Sequence, residues 1–285
     1  MTKILHVTEC YDGGVSRAIE TISQLAPAHE HHVYKSGDAS PAENIKYETF
    51  TEMPRNPIKA ILGIRKIVAQ LQPDVIHAHS SWAGFYVRIS KFRVPVVYEP
   101  HCYKFDSASR SKLLAGVFRG VEKLLSYRTD TTVVLSAFES EQAEKLNRSM
   151  HRHYLPNVAT YSPPEPADAT GFATGNTIAM IGRVSPQKDP DFFREVARLV
   201  WEKLPSAKFR WIGGGDSVEE RLMQQQGIEV TGWLDEVGMR NQLGTPFVYF
   251  HSAAWEGLPL SVLDAAAYEH PIILRLFTNE GVGGV

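Results

Sequence analysis

Short apolar runs alternate with amphipathic stretches along nearly the whole chain, in two series separated by a segment of different composition. Runs of about four to six apolar residues suit buried strands, while the stretches between them carry the three-to-four-residue apolar spacing of helices. Lys3 to Thr8 predicts a first strand, Asp12-Gly13-Gly14 a tight turn, and Val15 to Leu25 a helix with Val15, Ala18, Ile19, Ile22 and Leu25 on one face. Strands follow at His32 to Lys35, Tyr47 to Phe50, Asp74 to Ala78, Val94 to Tyr98 and Thr131 to Leu135, with helices at Pro57 to Leu71, Trp82 to Lys91 and Ser109 to Tyr127. Such alternation implies parallel sheets covered on both faces.

From Pro156 to Thr177 the chain turns to Pro and Gly with few large apolar groups, a linker composition. A second series then begins with a strand at Thr177 to Ile181 and a helix from the Asp189-Pro190 start to about Leu204. Further strands are expected at Phe209 to Ile212, Ile228 to Thr231, Phe247 to His251 and Ile272 to Leu274, with a Ser217/Glu220 capping box opening a helix that ends before Gly227. The reading is an α/β chain of two Rossmann-like domains, residues 1–160 and 176–285, joined by a linker at 161–175. An interdomain cleft is its natural binding site.

At 285 residues the chain is long enough for two domains. A net charge of -2 argues against a nucleic-acid binder driven by bulk charge. The two cysteines, Cys10 and Cys102, make no disulfide framework and suit a reducing cytoplasm. No apolar run approaches a membrane span, so any membrane contact is expected to be peripheral. Two stretches favour such contact: Arg55, Lys59, Arg65 and Lys66 in one, and Lys104, Arg110, Lys112, Arg119, Lys123 and Arg128 in the other, the second offset only by Asp106 and Glu122. Apolar residues interleave with these cations, as on helices lying at an anionic surface, and solvated helix faces explain the pattern equally well.

The strongest chemical signal is His251 to Asp264, which sets Glu256 in a Gly/Pro loop, starts a helix at Pro259 and places Asp264 beyond it. A helical path would separate the two carboxylates by roughly 12 Å, enough to grip two ends of one long ligand with the helix N-terminus facing its phosphates. Gly182 to Lys188 follows a strand and carries Arg183, a fork for phosphate oxygens, and Lys188, a point charge. Gly13-Gly14 lets backbone approach a ligand. Gly213-Gly214-Gly215-Asp216 imitates a dinucleotide fingerprint but has Val218 where its last glycine belongs, which demotes nicotinamide and flavin chemistry. His101 follows a strand at its carboxyl end, where open α/β sheets bind ligands, and Cys102 beside it is expected to point the opposite way. His77 and His79 share a strand face at metal-compatible spacing. With no further ligands near them in sequence, a structural or polar-network role is expected rather than zinc.

Taken together, Gly13-Gly14, Asp74 to His79, Val94 to Tyr98 with His101, Leu155 to Val158, Gly182-Arg183 with Lys188, Ile212 to Gly215, Gly232-Trp233 and Glu256 to Leu260 resemble the family 4 retaining glycosyltransferases, across nearly the whole chain. That resemblance implies the GT-B fold, two facing Rossmann-like domains with a cleft between them. It implies transfer of a sugar from a UDP- or GDP-linked donor to a hydroxyl of a glycan or lipid-linked acceptor, as in cell-surface polysaccharide or glycolipid synthesis. Glu256 and Asp264 match the E-x7-E pair, the first binding donor-sugar hydroxyls and the second the ribose. Arg183 and Lys188 match the cations on the donor diphosphate, and His101 a histidine beside the donor sugar. Gly13, Gly14, Gly182, Gly214, Gly257, Leu258, Leu260 and Ser261 complete the implied substrate-binding set. No cofactor or catalytic metal is implied, since the cations and helix N-terminus offset the leaving diphosphate. The implied location is cytoplasmic, with peripheral contact at the inner face of the cytoplasmic membrane as the alternative to a free one.

Departures from the pattern define the alternatives. Asp264 replaces the usual Glu, and His251 stands where Pro commonly precedes Ser. After Pro271 to Leu274 the chain reads R-L-F-T-N-E-G-V-G-G-V and stops where the family continues, so a truncated carboxyl-terminal domain is expected. A non-catalytic binding module, or a nucleotide-sugar epimerase or hydrolase of the same fold, is the rival reading.

Overall fold

The computed structural model describes residues 1–106, 111–163 and 176–275. Arg110, the core of the linker and the last ten residues lie outside that set. Contacts divide the chain into one unit of Met1–Asn157 and a second beginning at Val158. The boundary therefore falls three residues before the expected end of the first domain, because Thr160 and Tyr161 bond to the second unit.

In the first unit, seven parallel strands order as β3-β2-β1-β4-β5-β6-β7: β1 Lys3–Thr8, β2 Glu30–Lys35, β3 Thr49–Glu52, β4 Val75–His79, β5 Val96–Glu99, β6 Thr131–Val134 and β7 Arg152–Tyr154. Helices α1 Gly13–Leu25, α2 Pro57–Leu71, α3 Ser81–Ile89, α4 Lys112–Ser126 and α5 Ala137–Leu146 connect them. The bounds of α2 are those expected, with Asn56 capping Ile58 and Lys59 and Pro57 in the first turn, where its missing N–H is harmless. Sequence periodicity missed α5 and β7. The signal for α5 was a capping box: Ser136 Oγ accepts from Glu139 N–H at 3.2 Å.

One sheet face is apolar, with Leu5, Val7, Ile76, Ala78, Val96 and Tyr98 packed on Ile64, Val68 and Val87. The other is unusual for a buried surface. By the parallel registers, His31, His6, His77, His79 and Glu99 lie along it from β2 to β5.

In the second unit the order is β10-β9-β8-β11-β12, again parallel: β8 Thr177–Ile181, β9 Lys208–Ile212, β10 Glu229–Val230, β11 Val248–His251 and β12 Ile272–Leu274. Helices α6 Pro190–Lys203, α7 Ser217–Gln225, α8 Glu236–Leu243 and α9 Leu260–Ala267 cover it, around a core of Phe193, Phe209, Trp211, Tyr249 and Phe250. α8 escaped the sequence reading because its eight residues carry little apolar periodicity; its start is marked by Asp235, which accepts from Gly238 N–H at 2.7 Å. Two caps differ from expectation. Asp216, not Ser217, caps α7, and Glu220 instead accepts from Gly215 N–H at 2.6 Å. Pro259 is the extended residue before α9, not its first helical position, because φ -72 and ψ 121 place it outside the helix.

Candidate active site

Strand order reverses between β8 and β11, and at such a switch point the loops leaving two neighbouring strands diverge and leave room for a ligand. The loops leaving these two strands are Gly182 to Lys188 and Ser252 to Pro259, the two segments singled out for chemistry. They are stitched together: Ala254 N–H donates to Gln187 O at 2.8 Å, Gln187 Nε2 to Trp255 O at 3.1 Å, and Ser252 Oγ to Lys188 O at 2.7 Å. Lys188 Nζ is thereby carried to Glu256 Oε1, with which it forms an ion pair, both side chains largely sheltered from water.

Glycine makes this approach possible. A Cβ on Gly213, whose φ is +135, would sit 2.3 Å from Gly182 O, and one on Gly215 would sit 2.3 Å from Val184 O. Gly214 backs onto Trp233, and its carbonyl accepts from Val184 N–H at 2.9 Å. The Gly-rich turn after β9 thus serves as the bed on which the Arg183 loop lies. Lys188 crosses Gly182, where a Cβ would meet its Cε at 3.0 Å. Arg183 is exposed on the same loop.

Sequence reasoning missed a buried polar relay behind Glu256. His251 Nε2 lies 3.8 Å from Glu256 Oε1, and His251 Nδ1 is 2.8 Å from the Tyr249 hydroxyl, which donates to Ser261 Oγ at 2.9 Å. Burial, with Lys188 nearby, pushes the pKa of His251 down to about 3, so the ring is neutral. The relay reaches Ser261, which follows Leu260 in the first turn of α9, whose leading N–H groups lack intrahelical acceptors. Gly257 and Leu258 bridge Glu256 to that turn. Asp264, one turn further on, is buried, and its Oδ1 accepts from Thr160 N–H at 2.7 Å and Tyr161 N–H at 3.2 Å. Because Glu256 precedes the helix, the 12 Å same-face spacing does not apply; the two carboxylates belong to a loop and a helix.

Gly13, Gly14 and His101 belong to the first unit. Gly13 and Gly14 are exposed and open α1, which starts two residues earlier than expected. His101 and Cys102 have left-handed φ values of 51 and 97, so they are not the alternating extended pair predicted. Cys102 N–H donates to the buried carboxylate of Glu139 at 2.8 Å. His101 Nε2 is 3.1 Å from His79 Nδ1, and its Nδ1 is 3.4 Å from Glu99 Oε1. The expected polar network at His77 and His79 is present, but its other members, His6, His31, Glu99 and His101, come from distant parts of the chain.

A two-sheet α/β chain with a cation and a carboxylate joined at the switch point of its second sheet has the architecture of a GT-B glycosyltransferase. Residues 13–158 match the glycosyl transferase 4-like domain and residues 175–282 match the glycosyl transferases group 1 family. The chain belongs to these glycosyltransferases. It is 24% identical over 95% of its length, and 80% of the relative's, to an uncharacterized 41.2 kDa protein in the cps region of Klebsiella pneumoniae. It is 25% identical, over 76% of its length, to the Escherichia coli UDP-Gal:alpha-D-GlcNAc-diphosphoundecaprenol alpha-1,3-galactosyltransferase, of which it spans 61%. Among solved structures, Anabaena HepE in complex with UDP and glucose superposes with a TM-score of 0.74 at 16% identity, over 96% of this chain and 80% of that one. WaaG, a glycosyltransferase involved in lipopolysaccharide biosynthesis, superposes with a TM-score of 0.69 at 15% identity, over 95% and 80%.

Proposed function

We propose that this chain transfers a sugar from a UDP-linked donor to a hydroxyl of a glycan or lipid-linked acceptor, with retention of anomeric configuration, in cell-surface polysaccharide or glycolipid synthesis. The ion pair of Lys188 and Glu256 carries the reading. A donor diphosphate on Lys188 and Arg183 replaces the carboxylate as the lysine's partner and frees Glu256 to accept hydrogen bonds from sugar hydroxyls. As the glycosidic bond breaks, charge grows on the leaving phosphate, where two cations and the α9 N-terminus oppose it without a metal. Asp264 is assigned to the donor ribose and His101, by the family resemblance, to the donor sugar. Gly13 and Gly14 present backbone to donor or acceptor. The galactosyltransferase relative supports a UDP-sugar over a GDP-sugar and a lipid-diphosphate acceptor. HepE, solved with UDP and glucose, supports the uridine choice.

Titration with UDP- and GDP-sugars, followed by transfer assays and NMR of the product anomer, tests this. Absence of binding to every nucleotide sugar, or undiminished transfer by Glu256→Ala, would sink it. Turnover by this 285-residue chain would exclude the binding-module alternative.

We further propose that α4 rests on the inner face of an anionic membrane. Glu122, one of the two acids expected to offset its cations, is buried, accepting from Arg88 at 2.9 Å and from the Tyr98 hydroxyl at 3.1 Å. The outer face therefore shows Leu113, Val117, Leu124 and Tyr127 beside Lys112, Arg119, Lys123 and Arg128, all exposed. Among the described residues no helix is long and apolar enough to cross a membrane. Co-sedimentation with anionic liposomes that is absent even at low salt, or unchanged in Leu113→Ser/Leu124→Ser, would overturn this.

A further inference from the structure

Two neighbouring residues of the first unit hold backbone angles that residues other than glycine avoid. His101, at φ 51, and Cys102, at φ 97, both lie in the left-handed region, one residue past the end of β5. Such a turn persists only where its surroundings over-determine it. On the side of entry, the His101 ring is held between His79 and Glu99. On the side of exit, Lys104 N–H donates to Ser81 Oγ at 3.3 Å, and the buried Tyr103 ring stacks on Phe105 with centroids 4.9 Å apart. Between the two, Cys102 N–H donates to Glu139 Oε1 at 2.8 Å.

Glu139 belongs to α5, and it reaches this turn because β5 and β6 are adjacent parallel strands whose following loops leave the same sheet edge. Its other oxygen, Oε2, accepts from Leu135 N–H at 2.8 Å, closing the cap that Ser136 Oγ begins. A helix cap needs one acceptor. The second goes to Cys102, 37 residues earlier in the chain. Glu139 is 1% exposed, and among the described residues no cation pairs with it. Burial above all, with Glu99 and Asp106 nearby, pushes its pKa up to about 7 against the pull of those two N–H groups. A buried acid without a cation is costly, and a glutamine of the same shape would serve the cap alone. What the turn adds to the requirement is a second acceptor oxygen, which glutamine lacks.

We propose that Glu139 is the positioning residue for His101, fixing through the Cys102 N–H the left-handed turn that sets the imidazole at the carboxyl edge of the first sheet. This role rests on the assignment of His101 to the donor sugar. In it Glu139 touches neither donor nor acceptor, and its effect reaches the transferred sugar through His101.

Glu139→Gln offers one oxygen to two N–H groups and so loosens the turn. Its kcat for sugar transfer is expected to fall by up to roughly 10²-fold, the cost of misplacing a group by about 1 Å. Donor KM should stay near wild type, because Arg183, Lys188 and Glu256 of the second unit supply the grip. In a His101→Ala background the same substitution is expected to cost nothing further, since no ring is left to position. Ser136→Ala, which weakens the same helix cap without touching Cys102, is expected to lower the melting temperature and leave kcat near wild type. By NMR, the Cys102 amide proton, donating to a buried carboxylate, is expected far downfield and to move with a midpoint near pH 7 as Glu139 takes a proton. Of the acids facing Glu139, Asp106 is pushed by burial to about 6, and Glu99, despite burial, is drawn down by His101 and His77, so both titrate below it. Tyr103, held high by burial, titrates above it.

Undiminished kcat in Glu139→Gln, an equal loss in the wild-type and His101→Ala backgrounds, or a Cys102 amide at an ordinary shift that ignores pH would each overturn the proposal, the last even if the variant fails to fold. No transfer by the wild-type chain would remove the donor reading and this role together. Transfer lost in Glu256→Ala but kept in Glu139→Gln would remove this role alone.

Discussion

Lys188 and Glu256, 68 residues apart in sequence, form an ion pair where the loops after β8 and β11 leave adjacent strands. Neither strand encodes the pairing; the reversal of strand order between them does. Lys188→Ala is expected to lower kcat by roughly 10²–10³-fold, the range for removing one preorganised group that stabilises developing charge. Glu256→Gln is expected to raise the donor KM as well, since it weakens the grip on the sugar. Steady-state kinetics over a donor series check both; a Lys188→Ala enzyme within threefold, as a rough bound, of wild-type kcat would refute the assignment.

Asp264 separates fold from function through its two variants. Asp264→Asn keeps an oxygen for the N–H groups of Thr160 and Tyr161, so its melting temperature should stay near wild type while donor KM rises. Asp264→Ala strands both donors and is expected to cost about 1–3 kcal/mol. Thermal melts paired with donor titration distinguish them. An unchanged donor KM in the Asn variant would leave Asp264 a purely structural residue.

His251 ties stability to acid. Its pKa falls from 6.5 to about 3 on folding, first through burial and then through Lys188. As pH drops below 6.5, the unfolded chain takes up a proton that the folded chain refuses until about pH 3. Stability from this group is therefore lost as pH falls through that window, at up to roughly 1.4 kcal/mol per pH unit. Urea midpoints measured against pH should decline less steeply in His251→Gln than in wild type. Parallel curves would contradict the placement.

Glycine substitutions should divide by site. Gly213→Ala drives a Cβ into Gly182 O at a φ of +135, and a strain of about 1–3 kcal/mol from backbone alone is expected to lower the melting temperature and donor affinity together. Gly120→Ala, on α4 with nothing within 4 Å, is expected to be stabilising by up to about 1 kcal/mol. Equal effects at the two positions would refute the close packing of the Arg183 loop on the Gly213 turn.

Much of the architecture was legible because parallel strands are nearly continuous apolar runs and most helices announce a cap. The bounds of α2, β8 and β12 follow directly from those rules. α5 and α8 hid because short helices with few apolar residues show little periodicity, so only Ser136 and Asp235 marked them. The candidate site was legible residue by residue at Lys188 and Glu256, whose loops have distinctive composition. The relay of Tyr249, His251 and Ser261 was not, since a histidine and a tyrosine on a strand read as ordinary core.

By itself, the sequence determined two parallel α/β units, the loops that carry charge, and the family to which they belong, because hydrophobic period and turn chemistry are local. Tertiary structure alone decided which charges meet. It bound Lys188 to Glu256, buried Glu122 and so left the exposed face of α4 basic, and gathered His6, His31, His77, His79 and Glu99 onto one sheet face with His101 of the following loop beside them. Register between strands distant in sequence sets such neighbours, and no local pattern of residues records it.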